Sequence, residues 1–188
     1  MDEHIIPECF IDTKLIKGLY PPRIRYNHTK GCSSVTKKMR EKFPDTFALG
    51  VVDRDKRKLE YVDEFNLVIE LPNNLQLFKH QHKNHYLIFI CPAMEKWIIS
   101  CADENNISLT DYNLPHDFKK LTKITKTSKS EDEDLHSVDF QKLFKEFKKL
   151  NSPTIVVLTF WVGYLKQHPF DAEIESIRSE TQRIFSKL

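Results

Sequence analysis

Apolar residues in this chain fall into short runs in the first half and into helical spacing in the second. Phe47-Ala48-Leu49-Gly50-Val51-Val52 is a continuous apolar run of strand length, the pattern of a strand buried on both faces. Leu75 to His80 and Tyr86 to Ile90 flank the polar stretch Gln81 to His85 and predict two more strands, joined as a hairpin. Ile5-Ile6-Pro7-Glu8-Cys9-Phe10 is broken by Pro7 and suits an irregular or edge strand. Arg23-Ile24-Arg25-Tyr26 alternates and predicts a strand, while Phe65 to Ile69 fits either a strand or a helix ending before Pro72. Asp12 or Thr13 is placed to cap a helix over Lys14 to Leu19, and Ser33 or Ser34 to cap one running to Lys42. The resulting order, strand-helix-strand-helix-strand, predicts an α/β fold with a mainly parallel central sheet and crossover helices.

The character changes near Asp111. Lys119 to Lys129 is basic and rich in Ser and Thr, and Glu131 to Asp134 is a run of acids that reads as a loop. Phe140, Leu143, Phe144 and Phe147 recur at helical spacing. Ser152-Pro153 opens a helix that is apolar almost all round and belongs in the core, and a last amphipathic helix follows Asp171. Residues 111–188 are therefore expected to form a helical region packed on the core of an α/β unit, residues 1–110.

Composition narrows the class. Forty per cent hydrophobic and thirty per cent charged residues describe a globular chain. The longest apolar run, Ile155 to Leu165, is too short to span a bilayer, so no membrane partner is expected. The opening Met1-Asp2-Glu3-His4 lacks the basic and apolar regions of a signal peptide, which predicts a cytoplasmic protein. Cys9, Cys32, Cys91 and Cys101 show no Cys-x-x-Cys spacing and are expected to be reduced thiols. A net charge of +2 excludes a strong global field, but from Lys14 to Arg40 the chain carries Lys and Arg and no acid.

Candidate chemistry gathers where apolar strands end. Asp53 and Asp55 flank Arg54 just past the Phe47–Val52 strand, on the same side of the chain. Glu8 stands at the end of the first apolar stretch, and Glu95 follows the Tyr86–Ile90 strand at a predicted helix start. In an open α/β sheet the carboxyl ends of the strands lie along the ligand-binding edge. Clustered carboxylates there repel unless a cation joins them, and oxygen ligands suit Mg²⁺ or Mn²⁺. His80, His82 and His85 have no accompanying carboxylate or cysteine at ligand spacing and read as a polar hairpin tip. Neither a Gly-x-Ser-x-Gly elbow nor a Walker-type phosphate loop is present.

Glu8-Cys9-Phe10-Ile11-Asp12 followed by Val51-Val52-Asp53-Arg54-Asp55 resembles the toprim domain of topoisomerases, primases and overcoming-lysogenisation-defect (OLD) nucleases. Pro92-Ala93-Met94-Glu95-Lys96-Trp97 further resembles a Pro-x-x-Glu-x-Trp segment of OLD-type nucleases. The likeness covers residues 5 to 105 and implies a toprim-like α/β domain with a metal-dependent nuclease site. It implies that Glu8, Asp53 and Asp55 bind metal, Glu95 completes a second site, and Lys96 serves the catalytic centre. Lys30, Arg54 and Lys56 are the expected contacts to nucleic-acid phosphates, with DNA favoured over RNA. By the same analogy the implied setting is defence against phage, an OLD-type ATPase partner is implied, and self-association is compatible with it. Cys9 departs from the glycine usual in that place. The alternatives are a catalytically inactive toprim-like module that binds a partner protein, and a phosphotransfer domain with Asp53 as nucleophile.

Overall fold

The computed structural model describes residues 1–54, 60–72, 75–127 and 136–186. It is an α/β structure with a five-stranded mixed sheet in the order β1-β2-β5-β4-β3. The strands are β1 (Ile5–Pro7), β2 (Ala48–Asp53), β3 (Phe65–Glu70), β4 (Leu75–His80) and β5 (His85–Ile90). β1, β2 and β5 are mutually parallel, with Ile5 opposite Leu49 and Asp53 opposite Ile90. β5, β4 and β3 are antiparallel, so the hairpin expected from the polar stretch at 81–85 is formed. Phe65 to Ile69 resolves as strand rather than helix, with a register shift between Leu67 and Ile69.

Two helices, α1 (Phe10–Leu19) and α2 (Cys32–Lys42), connect β1 to β2. The strand expected at Arg23–Tyr26 is not formed, and its loss traces to a partner distant in sequence. The backbone N–H groups of Arg23 and Ile24 donate to the Asp2 carboxylate at 2.8 and 3.1 Å, which takes the donors a ladder would need. Pairing resumes a little later and only in part: Asn27 N–H donates to Ile5 C=O and Thr29 N–H to Pro7 C=O along the outer side of β1. The helix expected at Lys14 starts earlier, at Phe10, with Cys9 as its N-cap in place of Asp12 or Thr13. α2 is capped by Gly31, at φ 90°, rather than by a serine.

The remaining helices are α3 (Met94–Glu104), α4 (Phe118–Thr127), α5 (Ser137–Leu150), α6 (Pro153–Gln167) and α7 (Ile174–Phe185). Alternation along β2 divides the core. Leu49 and Val51 join a large cluster with α1, α3, α5 and α6, while Ala48 and Val52 join a smaller one with Val35 and Met39 of α2. Gly50 lets α2 close on the sheet, since a Cβ there would lie 2.6 Å from Leu87 and 2.8 Å from Val35. α6 is buried along most of its length, and Trp161 Nε1–H donates to Thr181 Oγ1 at 2.9 Å to hold α7. No helix among the described residues is long and apolar enough to cross a membrane.

Candidate functional site at the carboxyl edge of the parallel strands

Because β1, β2 and β5 are parallel, Glu8, Asp53 and the turn into α3 lie at one edge of the sheet. Backbone amides fix the acids there. Glu8 N–H donates to Val51 C=O, extending the β1–β2 pairing by one residue. Its own carboxylate Oε2 accepts from Asp53 N–H at 2.9 Å. Asp53 Oδ1 in turn accepts from Met94 N–H at 2.9 Å, at the start of α3, where a helix favours negative charge. Asp53 is therefore tied to both neighbouring elements.

A third acid joins them. Asp12, in the first turn of α1, is fully buried. Its Oδ2 accepts from Cys9 N–H at 2.9 Å, and Cys9 Sγ accepts from Asp12 N–H at 3.4 Å, a reciprocal cap of the kind usually built by Ser or Thr with Glu. Asp12 Oδ1 is buried and accepts no hydrogen bond among the described residues. Burial pushes the Asp12 carboxyl well above the usual range, and the neighbouring charges of Asp53 and Glu8 push the same way. Burial also raises the Cys9 thiol, aided by Asp12, so Cys9 stays a neutral cap. The Cys9 backbone is extended, at φ −136° and ψ 174°, and has no need of glycine.

The other residues singled out in the sequence take distinct places. Glu95 is buried in the first turn of α3, and its Oε1 accepts from the Thr125 hydroxyl of α4, so this carboxylate is directed at a helix. Lys96 is exposed beside it, with Nζ 5.3 Å from the centre of the Phe118 ring. Arg54 N–H donates to Ile90 C=O, and its guanidinium lies 3.5 Å from Gln76 Oε1. Lys30 is exposed in the loop after Thr29, next to the carboxyl end of β1. His28 in that loop stacks on Phe10 at 4.1 Å. Asp55 and Lys56 lie outside the described residues. His80 and His85 are buried, whereas the sequence suggested a polar tip.

Among the described residues no three acids, histidines or cysteines already surround one point as an ion cage. The donor chemistry nevertheless suits a hard cation. A fully buried carboxylate oxygen without a donor is costly unless it is protonated or given a positive partner, and the carboxylates of Glu8 and Asp53 beside it are oxygen donors of the kind such a cation takes. Asp12 is the residue the sequence reading placed only as a cap. Its spacing from Glu8, which puts it on the first turn of the helix directly after the strand, was the available signal. No protein-family model, curated protein or solved structure matches the chain.

Proposed function

We propose that the chain is a divalent-metal-dependent nuclease with a toprim-like core, acting on DNA in preference to RNA. The observation that carries this reading is the buried, hydrogen-bond-free Oδ1 of Asp12 beside the charges of Asp53 and Glu8. Glu8, Asp12 and Asp53 would hold Mg²⁺ or Mn²⁺, with Asp55 next along the chain. When bound, such an ion lowers the pKa of coordinated water and offsets charge on a phosphodiester. The chain's own residues supply the rest. The amides of Asp53 and Met94 hold the Glu8 and Asp53 carboxylates in fixed positions, so no reorganisation is needed when substrate arrives. Lys30, Arg54 and Lys96 stand near the ends of β1, β2 and β5 as cations for the phosphate, and Lys56 follows Asp55 in sequence. An OLD-type ATPase partner and a role in phage defence belong to the same proposal and rest on the resemblance alone.

The test is cleavage of supercoiled plasmid, single-stranded DNA and RNA with Mn²⁺. Wild type is expected to cut DNA, and Asp53→Ala to lose at least about 100-fold in rate. A wild type inactive on all three substrates, or an Asp53→Ala variant as active as wild type, would overturn the reading.

A further inference from the structure

α4 carries charged residues of one sign only, whereas α5 and α7 carry both. In α7, Arg178 pairs with Glu175 and Arg183 with Glu180, and in α5 Lys149 pairs with Glu146. Phe118–Thr127 contains Lys119, Lys120, Lys123 and Lys126 and no acid. All four lysines are exposed, while Leu121 is fully buried beneath them. Lys119 and Lys123, Lys120 and Lys123, and Lys123 and Lys126 fall at spacings of three or four residues, where like charges destabilise a helix. A helix that keeps such a row suits an anionic partner.

Its placement indicates which one. His116 Nε2 meets Asp103 Oδ1 at 2.8 Å near the end of α3, and Thr125 is bonded to Glu95 near its start, so the chain from His116 to Thr125 passes back from the end of α3 to its start. The start of α3 is the segment whose Met94 amide holds Asp53. Lys126 therefore lies at the end of α4 nearest the acidic edge, with Lys123 and Lys119 leading away from it. At 1.5 Å per residue the row from Lys119 to Lys126 is about 10 Å long, the rise of roughly three nucleotides. Lys96, over the Phe118 ring, adds a fifth exposed cation.

We propose that the exposed face of α4 binds the phosphodiester backbone of DNA and leads it to the carboxylate edge, with the Glu95–Thr125 bond setting the helix in place. The choice of DNA rests on the nuclease reading; the binding itself needs no metal.

The test is titration of a fluorescent single-stranded DNA 20-mer in EDTA over a range of salt. Two variants with equal charge change are compared: Lys119→Gln/Lys123→Gln/Lys126→Gln on α4, and Lys142→Gln/Lys145→Gln/Lys149→Gln on α5. The α4 variant is expected to bind about 10-fold or more weakly and to lose about 2 from the salt slope, while the α5 variant stays near wild type. Equal losses in both variants, no loss in the α4 variant, or no binding by wild type would overturn the proposal. So would competition by poly-glutamate as strong as by unlabelled DNA, which would indicate an acidic protein partner. If wild type binds through α4 yet never cleaves with Mn²⁺, the nuclease reading falls and the binding face stands; if it cleaves and the α4 variant binds and cleaves equally, the reverse holds.

Discussion

At the amino ends of β2 and β5, buried histidines find a partner for each ring nitrogen; at the carboxyl ends of β1 and β2, a buried acid does not. His85 Nε2–H donates to Phe43 C=O at 2.7 Å, which leaves Nδ1 to accept from Tyr61 OH at 2.6 Å. His80 Nδ1 accepts from the amides of His82 and Lys83, which leaves Nε2–H for Glu64 at 3.0 Å. Each ring thus has one tautomer dictated by its neighbours. Burial lowers the basicity of both, against the opposing pull of Phe43 C=O on His85 and of Glu64 on His80. At the other end, the first-turn Asp12 is placed beside Asp53 and Glu8 with one oxygen unbonded. Two ends of one sheet therefore divide the work. The histidine end closes its polar groups and serves stability, and the acidic end keeps a cost that a bound cation would remove.

The largest effect expected from this division is a separation of activity from stability. Asp12→Asn keeps the shape and removes the charge. Mn²⁺-dependent cleavage should fall by about 100-fold or more, while the metal-free melting temperature holds or rises. A clear drop in metal-free stability would break the comparison. Tyr61→Phe should do the opposite, costing about 1–3 kcal/mol in urea unfolding by stranding His85 Nδ1, with cleavage unchanged.

Next in size is the effect of pH on the histidine end. Folded-state pKa values below the unfolded 6.5 mean that the native state binds protons less readily. The stabilisation is complete above pH 6.5 and is lost as pH falls from there through the lowered folded values, with a slope of at most about 1.4 kcal/mol per pH unit for each ring. Urea midpoints from pH 7.5 to 5 should show this decline, and His85→Gln should flatten it. Smallest is the capping contact at the acidic end. Cys9→Ser puts a better acceptor before Asp12 N–H and should add a few tenths of a kcal/mol, whereas Cys9→Gly should cost about as much or slightly more. A cost near 2 kcal/mol for Cys9→Gly would show the thiol packing to matter more than its cap.

Much of this was legible in the sequence where the pattern is local. The β2 run, the β4–β5 hairpin and the helix opened by Ser152-Pro153 depend on neighbouring residues and were placed within a residue or two. What escaped depends on distant partners. Arg23–Tyr26 has the alternation of a strand, but Asp2, about twenty residues earlier, takes its amides. His85 reads as polar until Tyr61 is found opposite it. Glu95 stands at a strand-to-helix junction like Glu8, and only the position of Thr125 shows its carboxylate turned to α4. Asp12 was visible only as a capping residue, because a cysteine in the partner position hides the reciprocal cap.

The borders of the sheet carry a consequence for assembly. Along β1, the amides of Asn27 and Thr29 occupy carbonyls that another chain would otherwise reach. Along β3, the register shift between Leu67 and Ile69 interrupts the ladder, and Arg178 of α7 donates to Val68 C=O at 3.0 Å. Among the described residues, both borders thus have carbonyls already taken by groups of this chain, which works against strand addition by a second copy or by a fibril-forming segment.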